Sequence, residues 1–96
     1  MYGTVETGVL ADGVDAQQLV RVLDEWAQRD APDGWVDSRV VVSDDGRRFM
    51  VATRFRSETD YRELADSEAQ HTWYAREWRP LLAQASDWFD GSWVRE

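Results

Sequence analysis

The single histidine, His71, is the residue whose type most directly suggests chemistry. Imidazole changes its protonation near neutral pH without needing a perturbed pKa, so His71 could act as a general base or as a ligand to haem iron. The competing interpretation is structural, because His71 falls near the start of a helical segment. Residue type alone leaves both interpretations open.

Other classes of site find little support in the sequence. Glu6, Asp37 and Asp90 could lie on strands, but no spacing pairs two of them as an acid and a base. The chain has no cysteine, which removes disulfides, thiolate nucleophiles and cysteine-based metal sites. No motif groups carboxylates around a metal ion, no serine lies in a G-x-S-x-G setting, and no glycine-rich phosphate loop occurs. We therefore expect neither a metal nor a cofactor.

Composition limits the partners of the protein. The formal net charge is −8, from 19 acidic and 11 basic residues, whereas nucleic acid or an anionic membrane would require a basic patch. The opening YGTVETGVL after Met1 lacks the features of a signal peptide, and no stretch approaches the ~20 apolar residues of a membrane span. We expect one cytoplasmic domain, residues 1–96.

The first half of the chain predicts a strand, a helix and a hairpin. A run rich in Val and Thr predicts a strand over Tyr2–Leu10, with a turn after it. Apolar residues at i, i+3, i+4 and i+7 predict an amphipathic helix over Ala16–Arg29, with Asp15 as N-cap and a capping-box partner three residues later. Strands over Trp35–Ser43 and Arg47–Phe55 flank an Asp-Gly hairpin turn.

The second helical crossover contains the histidine. Ser57 is its expected N-cap, residues 66–67 are an expected break, and Pro80 should kink or end the helix. A final strand is predicted over Trp88–Arg95, with a bulge at Gly91.

The order β-α-β-β-α-β predicts an α+β fold of the ferredoxin-like type, an antiparallel sheet with helices on one face. Neither face of the third strand is wholly polar, since Phe49 and Val51 lie on one face and Met50 and Ala52 on the other. This pattern indicates a second sheet packed against the face without helices, and hence a dimer.

With these elements, the chain resembles the antibiotic biosynthesis monooxygenase-like proteins of the dimeric α/β-barrel superfamily. The resemblance rests on Asp-Gly-Trp at 33–35, the hairpin at 45–46 and the run MVATRFRSETDYRELADS. The segment WRPLL and the closing strand at 88–93 extend it over nearly the whole chain. These motifs specify the fold better than the reaction.

The resemblance implies a homodimer whose sheets pack face to face, with a cavity between the sheet and the helices of each protomer. The superfamily includes cofactor-independent monooxygenases acting on aromatic polyketides, haem-degrading enzymes and isomerases. A monooxygenase without a cofactor takes its reducing electrons from the substrate. The protein then contributes desolvation, stacking and a hydrogen bond to the phenolate or enolate of the substrate.

On this resemblance we expect a cofactor-independent monooxygenase-like protein that acts on a small aromatic or polyketide-type substrate. The candidate catalytic residues are His71 and Tyr74. The candidate substrate-binding residues are Trp73, which could stack on the ring, together with Arg54, Arg76 and Tyr61.

Two alternatives stay open. In the first, the protein is a non-catalytic ligand-binding or structural homodimer, and Trp73 and Tyr74 are core or dimer-contact aromatics. In the second, His71 binds haem. Haem degradation is not expected, because the relatives that carry it out use an Asn, a Trp and a His together. This chain has no Asn, Leu64 stands where the Trp is expected, and His71 falls about two residues before the expected His.

Overall fold

The computed structural model describes all 96 residues and contains a four-stranded antiparallel sheet with helices on one face. The strands are β1 (Tyr2–Val9), β2 (Trp35–Val42), β3 (Arg48–Phe55) and β4 (Asp87–Ser92), in the sheet order β2-β3-β1-β4. The helices are α1 (Ala16–Arg29), α2 (Glu58–Ala65) and α3 (Glu68–Trp73), the last continued by a π-helical turn (Tyr74–Trp78) and a 3-10 turn (Arg79–Leu81). The predicted α+β, ferredoxin-like order is confirmed.

The predicted helix boundaries follow from local hydrogen bonds. The Asp15 side chain accepts from the backbone N–H of Gln18 at 3.0 Å, and the Gln18 side chain accepts from that of Asp15 at 2.9 Å, which is the predicted capping box. The break at residues 66–67 is also confirmed, because α2 ends at Ala65 and Ser67 caps α3. No helix is both long enough and apolar enough to span a membrane.

The second crossover contains a π-helical turn shortly before Pro80. The backbone N–H of Arg79 bonds to the carbonyl of Tyr74, five residues earlier, instead of four. Residues five apart point about 140° away from each other on a regular α-helix. Here the rings of Trp73 and Trp78 stack, with centroids 5.9 Å apart and planes 29° apart, so both face the interior.

Two predictions about the closing strand are wrong. The strand ends at Ser92 instead of Arg95. Ser92 pairs with Tyr2, the first residue of β1, and beyond this pair the Trp93 N–H bonds to the Met1 carbonyl at 2.8 Å, where the chain begins. Gly91 pairs with Gly3 in regular register and forms no bulge. The irregularity in register lies at the start of β2 instead.

The helices cover one face of the sheet and leave the other uncovered. The buried apolar core lies on the covered face and consists of Leu10, Leu19, Phe49, Val51, Trp78 and Leu82. On the uncovered face, large apolar side chains are exposed, by 63% at Val41, 44% at Met50 and 76% at Phe89. The layer between the sheet and the helices therefore holds the core.

Candidate functional site

A cavity of about 310 Å³ lies between the sheet and the helices. Its floor comes from all four strands, and its walls come from α1, α2, α3 and the π-helical turn. Four tryptophans line it: Trp26, Trp73, Trp78 and Trp88. Cavities that bind small molecules typically measure about 300–1,000 Å³ and are mostly apolar with a few polar groups. This cavity has the size and lining for a small aromatic molecule.

The polar centre of the cavity is the carboxylate of Glu6. The residue is only 4% exposed, and its Oε2 accepts hydrogen bonds from Trp78 Nε1 at 3.1 Å and from Tyr74 Oη at 3.3 Å. Burial raises the pKa of Glu6, and these hydrogen bonds oppose part of the rise. A carboxylate whose pKa is raised toward neutrality is better suited to act as a general base than an exposed one.

Sequence analysis placed Glu6 on a strand but set it aside, because no spacing pairs it with a second carboxylate, and the alternation of β1 by itself gave no sign that it is buried. Val5 and Val9 point away from the helices, while Thr4 and Glu6 point toward them and are buried. The polar residues of an alternating strand are normally the solvent-exposed ones. The sequence does contain a signal for this arrangement. If the uncovered face packs on a partner, the valines of β1 belong on that face, and the polar residues that alternate with them then point toward the helices.

Two of the predicted residues, Tyr74 and Trp73, contact Glu6 or a residue bonded to it. Tyr74 donates to the carboxylate, and burial raises the pKa of Tyr74, with the nearby charge of Glu6 acting in the same direction. The phenol therefore stays protonated and serves as a donor. Trp73 lines the cavity, stacked on Trp78 and tilted against Trp26 with ring centroids 5.9 Å apart.

His71 and Tyr61 line the cavity but bond elsewhere. His71 is solvent-exposed, and its Nε2 hydrogen-bonds to the carbonyl of Ala65, which ties the start of α3 to the end of α2. The Tyr61 hydroxyl donates to Asp90 at 2.9 Å, and burial, followed by this bond, raises the pKa of Tyr61 to about 12. His71 thus lies at the mouth of the cavity, and Tyr61 is a protonated wall residue.

The two arginines do not reach this cavity, contrary to the prediction. Arg54 points to the uncovered face of the sheet, because it alternates with Thr53 and Phe55 on β3. There it forms a bidentate pair with Asp37, at 2.9 and 2.7 Å, and a second pair with the carboxylate of Glu96. Arg76 lies exposed on the outer side of the π-helical turn and is not part of the cavity lining.

No three His, Asp or Glu side chains lie close enough together to hold a metal ion. His71 is the residue considered above as a ligand to haem iron, and its Nε2 is engaged by a backbone carbonyl. The groups arranged around the cavity are suited instead to moving a proton and to holding an aromatic ring.

No family model matches the sequence, and no curated protein matches it. Solved structures share its architecture. Rv0793 from Mycobacterium tuberculosis is 19% identical, with a TM-score of 0.73 over 99% of this chain and 96% of that one. A protein from Deinococcus radiodurans, provisionally named antibiotic biosynthesis monooxygenase, is 9% identical, with a TM-score of 0.69 over 100% and 95%. The hydroxynitrile lyase of Passiflora edulis is 12% identical, with a TM-score of 0.65 over 99% and 96%.

The chain has the ferredoxin-like fold of these proteins. The resemblance to antibiotic biosynthesis monooxygenase-like proteins is thereby confirmed at the level of the fold, over nearly the whole chain. One of these structures is named for a monooxygenase and another for a lyase, so the fold does not decide the reaction.

Proposed function

We propose that this protein is a cofactor-independent monooxygenase-like enzyme that oxidises a small aromatic, polyketide-type substrate in the cavity. The observation that carries the proposal is the buried Glu6 carboxylate, held by Tyr74 and Trp78 inside a cavity walled by aromatic rings. A phenolic or anthrone-type substrate supplies its own electrons once it has lost a proton. Glu6 is the group placed to take that proton.

The proposed reaction balances without an external reductant. Glu6 accepts a proton from a ring CH₂ of an anthrone-type substrate, which leaves a phenolate-like anion. The anion gives electrons to O₂ and forms a C–O bond, and the resulting peroxide anion takes up a proton. Loss of water from the hydroperoxide leaves a ketone. One CH₂ and one O₂ thus become one C=O and one H₂O.

The surrounding side chains have separate roles in this proposal. Tyr74 donates a hydrogen bond to Glu6, and when Glu6 becomes protonated that donor is released toward the oxyanion of the substrate. Trp73 and Trp26 stack on the ring and exclude water, which strengthens every electrostatic interaction inside the cavity. His71 and Trp88 are both exposed while lining the cavity, so they flank the entrance.

We also propose that the protein works as a homodimer through the uncovered face of the sheet. Exposed apolar patches of this kind usually mark an interaction surface. Val41, Met50 and Phe89 supply that patch, and a second copy would cover it. This arrangement closes the side of the sheet opposite the cavity and leaves the entrance at His71 and Trp88 free.

Oxygen uptake tests the proposed function. Purified protein is mixed with an anthrone in air-saturated buffer, and the rate is compared for wild type, Glu6→Gln and Tyr74→Phe. Removing a general base typically lowers the rate 10²- to 10⁴-fold, so Glu6→Gln should fall by about that factor. Glu63→Gln, the same substitution at an exposed position of α2, is the matched control and should match wild type.

Two results would contradict the proposal. Uptake by wild type at the buffer rate would leave the protein a ligand binder or a structural dimer. Uptake by Glu6→Gln at the wild-type rate would show catalysis that does not depend on this carboxylate.

A further inference from the structure

A row of polar side chains crosses the floor of the cavity from one edge of the sheet to the other. Residues directly paired on antiparallel strands project side by side on the same face. The paired positions of this row, in sheet order, are Ser38, Thr53, Thr4 and Asp90. The first three line the cavity, whereas the neighbouring row is apolar apart from Glu6.

The hydrogen bonds of this row leave one hydroxyl proton free. Trp35 Nε1 donates to Ser38 Oγ at 3.1 Å, and Ser38 Oγ lies 2.9 Å from Thr53 Oγ1. Two hydroxyls carry two protons, and the bond between them uses one. Bonds that run in one direction, from Trp35 through Ser38 to Thr53, polarise one another favourably. That direction leaves the Thr53 O–H free to donate into the cavity.

The hydroxyl of Thr4, in contrast to that of Thr53, is available as a hydrogen-bond acceptor. The residue is 6% exposed, and its hydroxyl donates to Asp90 Oδ1 at 2.7 Å. Because a carboxylate only accepts, the Thr4 proton is committed, and the remaining lone pairs of its oxygen are free to accept. Thr53 and Thr4 are direct partners across β3 and β1, so their β-carbons lie about 4.5–5.5 Å apart. A donor and an acceptor therefore stand side by side on the cavity floor.

We propose that Thr53 and Thr4 select aromatic substrates that carry two oxygens in a meta relation. Two meta oxygens on a benzene ring are separated by about the spacing of neighbouring strands, roughly 4.8 Å. Ortho oxygens lie much closer together, and para oxygens point in opposite directions. The ligand oxygen over Thr53 accepts a hydrogen bond, which suits a phenolate or a carbonyl, and the ligand O–H over Thr4 donates one.

This inference rests on the proposed function, from which it takes the aromatic ring of the ligand. It adds the positions of the two oxygens on that ring. Glu6 lies two residues beyond Thr4 on the same face of β1, at a distance of about 6.7 Å along the strand. A ring anchored by two oxygens on the threonines extends from that row toward Glu6. The edge of the ring opposite the anchored oxygens then faces the proposed base.

Calorimetric titration under nitrogen tests the selection without requiring turnover. The probes are 1,3-dihydroxynaphthalene, with meta oxygens, 2,3-dihydroxynaphthalene, with adjacent oxygens, and 2,6-dihydroxynaphthalene, with oxygens at opposite ends. Each is titrated into wild type, Thr53→Val, Thr4→Val and Thr53→Ser. Thr7→Val is the matched control, because it makes the same change on β1 with the side chain on the uncovered face.

Wild type should bind the 1,3-isomer at least 10-fold more tightly than either other isomer. Loss of one neutral hydrogen bond weakens binding about 3- to 10-fold, so Thr53→Val and Thr4→Val should each reduce the preference by that factor. Thr53→Ser, which keeps the hydroxyl, and Thr7→Val should both retain it.

Three results would overturn the inference: equal affinity for the three isomers, an unchanged preference in both valine variants, or no binding of any isomer. The proposed function fails separately. A protein that selects the 1,3-isomer under nitrogen and takes up no oxygen with an anthrone would keep this inference and lose the monooxygenase activity.

Discussion

At the level of residues, the cavity is organised around a carboxylate that the fold keeps out of water. Burying a charged group is unfavourable unless it is hydrogen-bonded, and Glu6 receives bonds from Trp78 and Tyr74. The Ser86 hydroxyl is buried beside the same carboxylate and opposes the rise in the pKa of Glu6. A polar group kept at this cost in the core of a small domain indicates a functional role.

The pH dependence of stability tests the burial of Glu6. In the unfolded chain this carboxyl titrates near its ordinary value of 4.5, and in the folded protein at a higher pH. Between these two pKa values unfolding releases a proton, so the free energy of unfolding falls as the pH rises, and the loss is complete above the folded pKa. Glu6→Gln has no such proton to lose.

The melting temperature of Glu6→Gln minus that of wild type should therefore be larger at about pH 8 than at about pH 4. Circular dichroism at the two pH values measures this difference. The exposed control Glu63→Gln should show no comparable change. A difference between Glu6→Gln and wild type that stays the same at both pH values would mean that the pKa of Glu6 is not raised by folding.

The rate profile of Tyr74→Phe tests the bond between Tyr74 and Glu6. That bond lowers the pKa of Glu6, so its removal should raise the pKa further. A base has to be deprotonated to act, and the acidic limb of kcat/KM against pH should move to higher pH. Tyr61→Phe, which changes another cavity tyrosine bonded to Asp90 instead, should leave the limb in place. An unmoved limb in Tyr74→Phe would contradict the contact.

The residues that sequence analysis selected for chemistry were found partly by type and partly by resemblance. His71 drew attention as the only histidine, yet it lies at the mouth of the cavity and bonds to a backbone carbonyl. Tyr74 and Trp73 were placed near a cavity, and the structure puts both in its lining. Glu6 was passed over because no second carboxylate pairs with it, whereas its partners are a tyrosine and a tryptophan distant in sequence.

At the level of elements, caps and turns were the most predictable features. The capping box of α1 and the break between α2 and α3 depend on residues within a few positions of one another, so local sequence determines them. The π-helical turn was not predicted. It depends on Trp73 and Trp78 packing against the sheet as well as on Pro80, and that tertiary contact is not visible in local sequence.

Two paired glycines, Gly3 on β1 and Gly91 on the edge strand β4, provide a test at this level. A methyl group at Gly3 would overlap the backbone oxygen of Thr53, whereas one at Gly91, its partner on β4, would meet no atom closer than 3.8 Å. Overpacking of this kind typically costs about 1–3 kcal/mol. We expect Gly3→Ala to be destabilised by at least that amount in urea unfolding, and Gly91→Ala to be close to wild type. Equal stability of the two variants would contradict the packing of β1 against β3.

At the level of the whole molecule, the fold and the uncovered face were both anticipated from the sequence. The mixed faces of β3 indicated that the sheet is covered on one side by helices and on the other by something else. Met50 on that second face is indeed large, apolar and 44% exposed. A single chain carries no direct information about its partner, so the dimer stays a prediction.

Sedimentation or light scattering tests the dimer. Val41→Arg places a charge within the exposed apolar patch of the uncovered face, where a second copy would pack, and should shift the mass from dimer to monomer. Val20→Arg, the same substitution on the exposed side of α1, should leave the mass unchanged. A wild-type protein that is monomeric at all concentrations, or a dimer unaffected by Val41→Arg, would argue against this interface.

The most direct test of the central claim, that Glu6 takes a proton from an aromatic substrate in the cavity, needs no oxygen. Anthrone is titrated with wild type and with Glu6→Gln under nitrogen, and the absorption spectrum is recorded. The deprotonated ring system absorbs at longer wavelength than the neutral one. We predict that saturating wild type produces the anion band and that Glu6→Gln binds the ligand without producing it. Bound anthrone that stays neutral in wild type, or an equal anion band in Glu6→Gln, would contradict the claim.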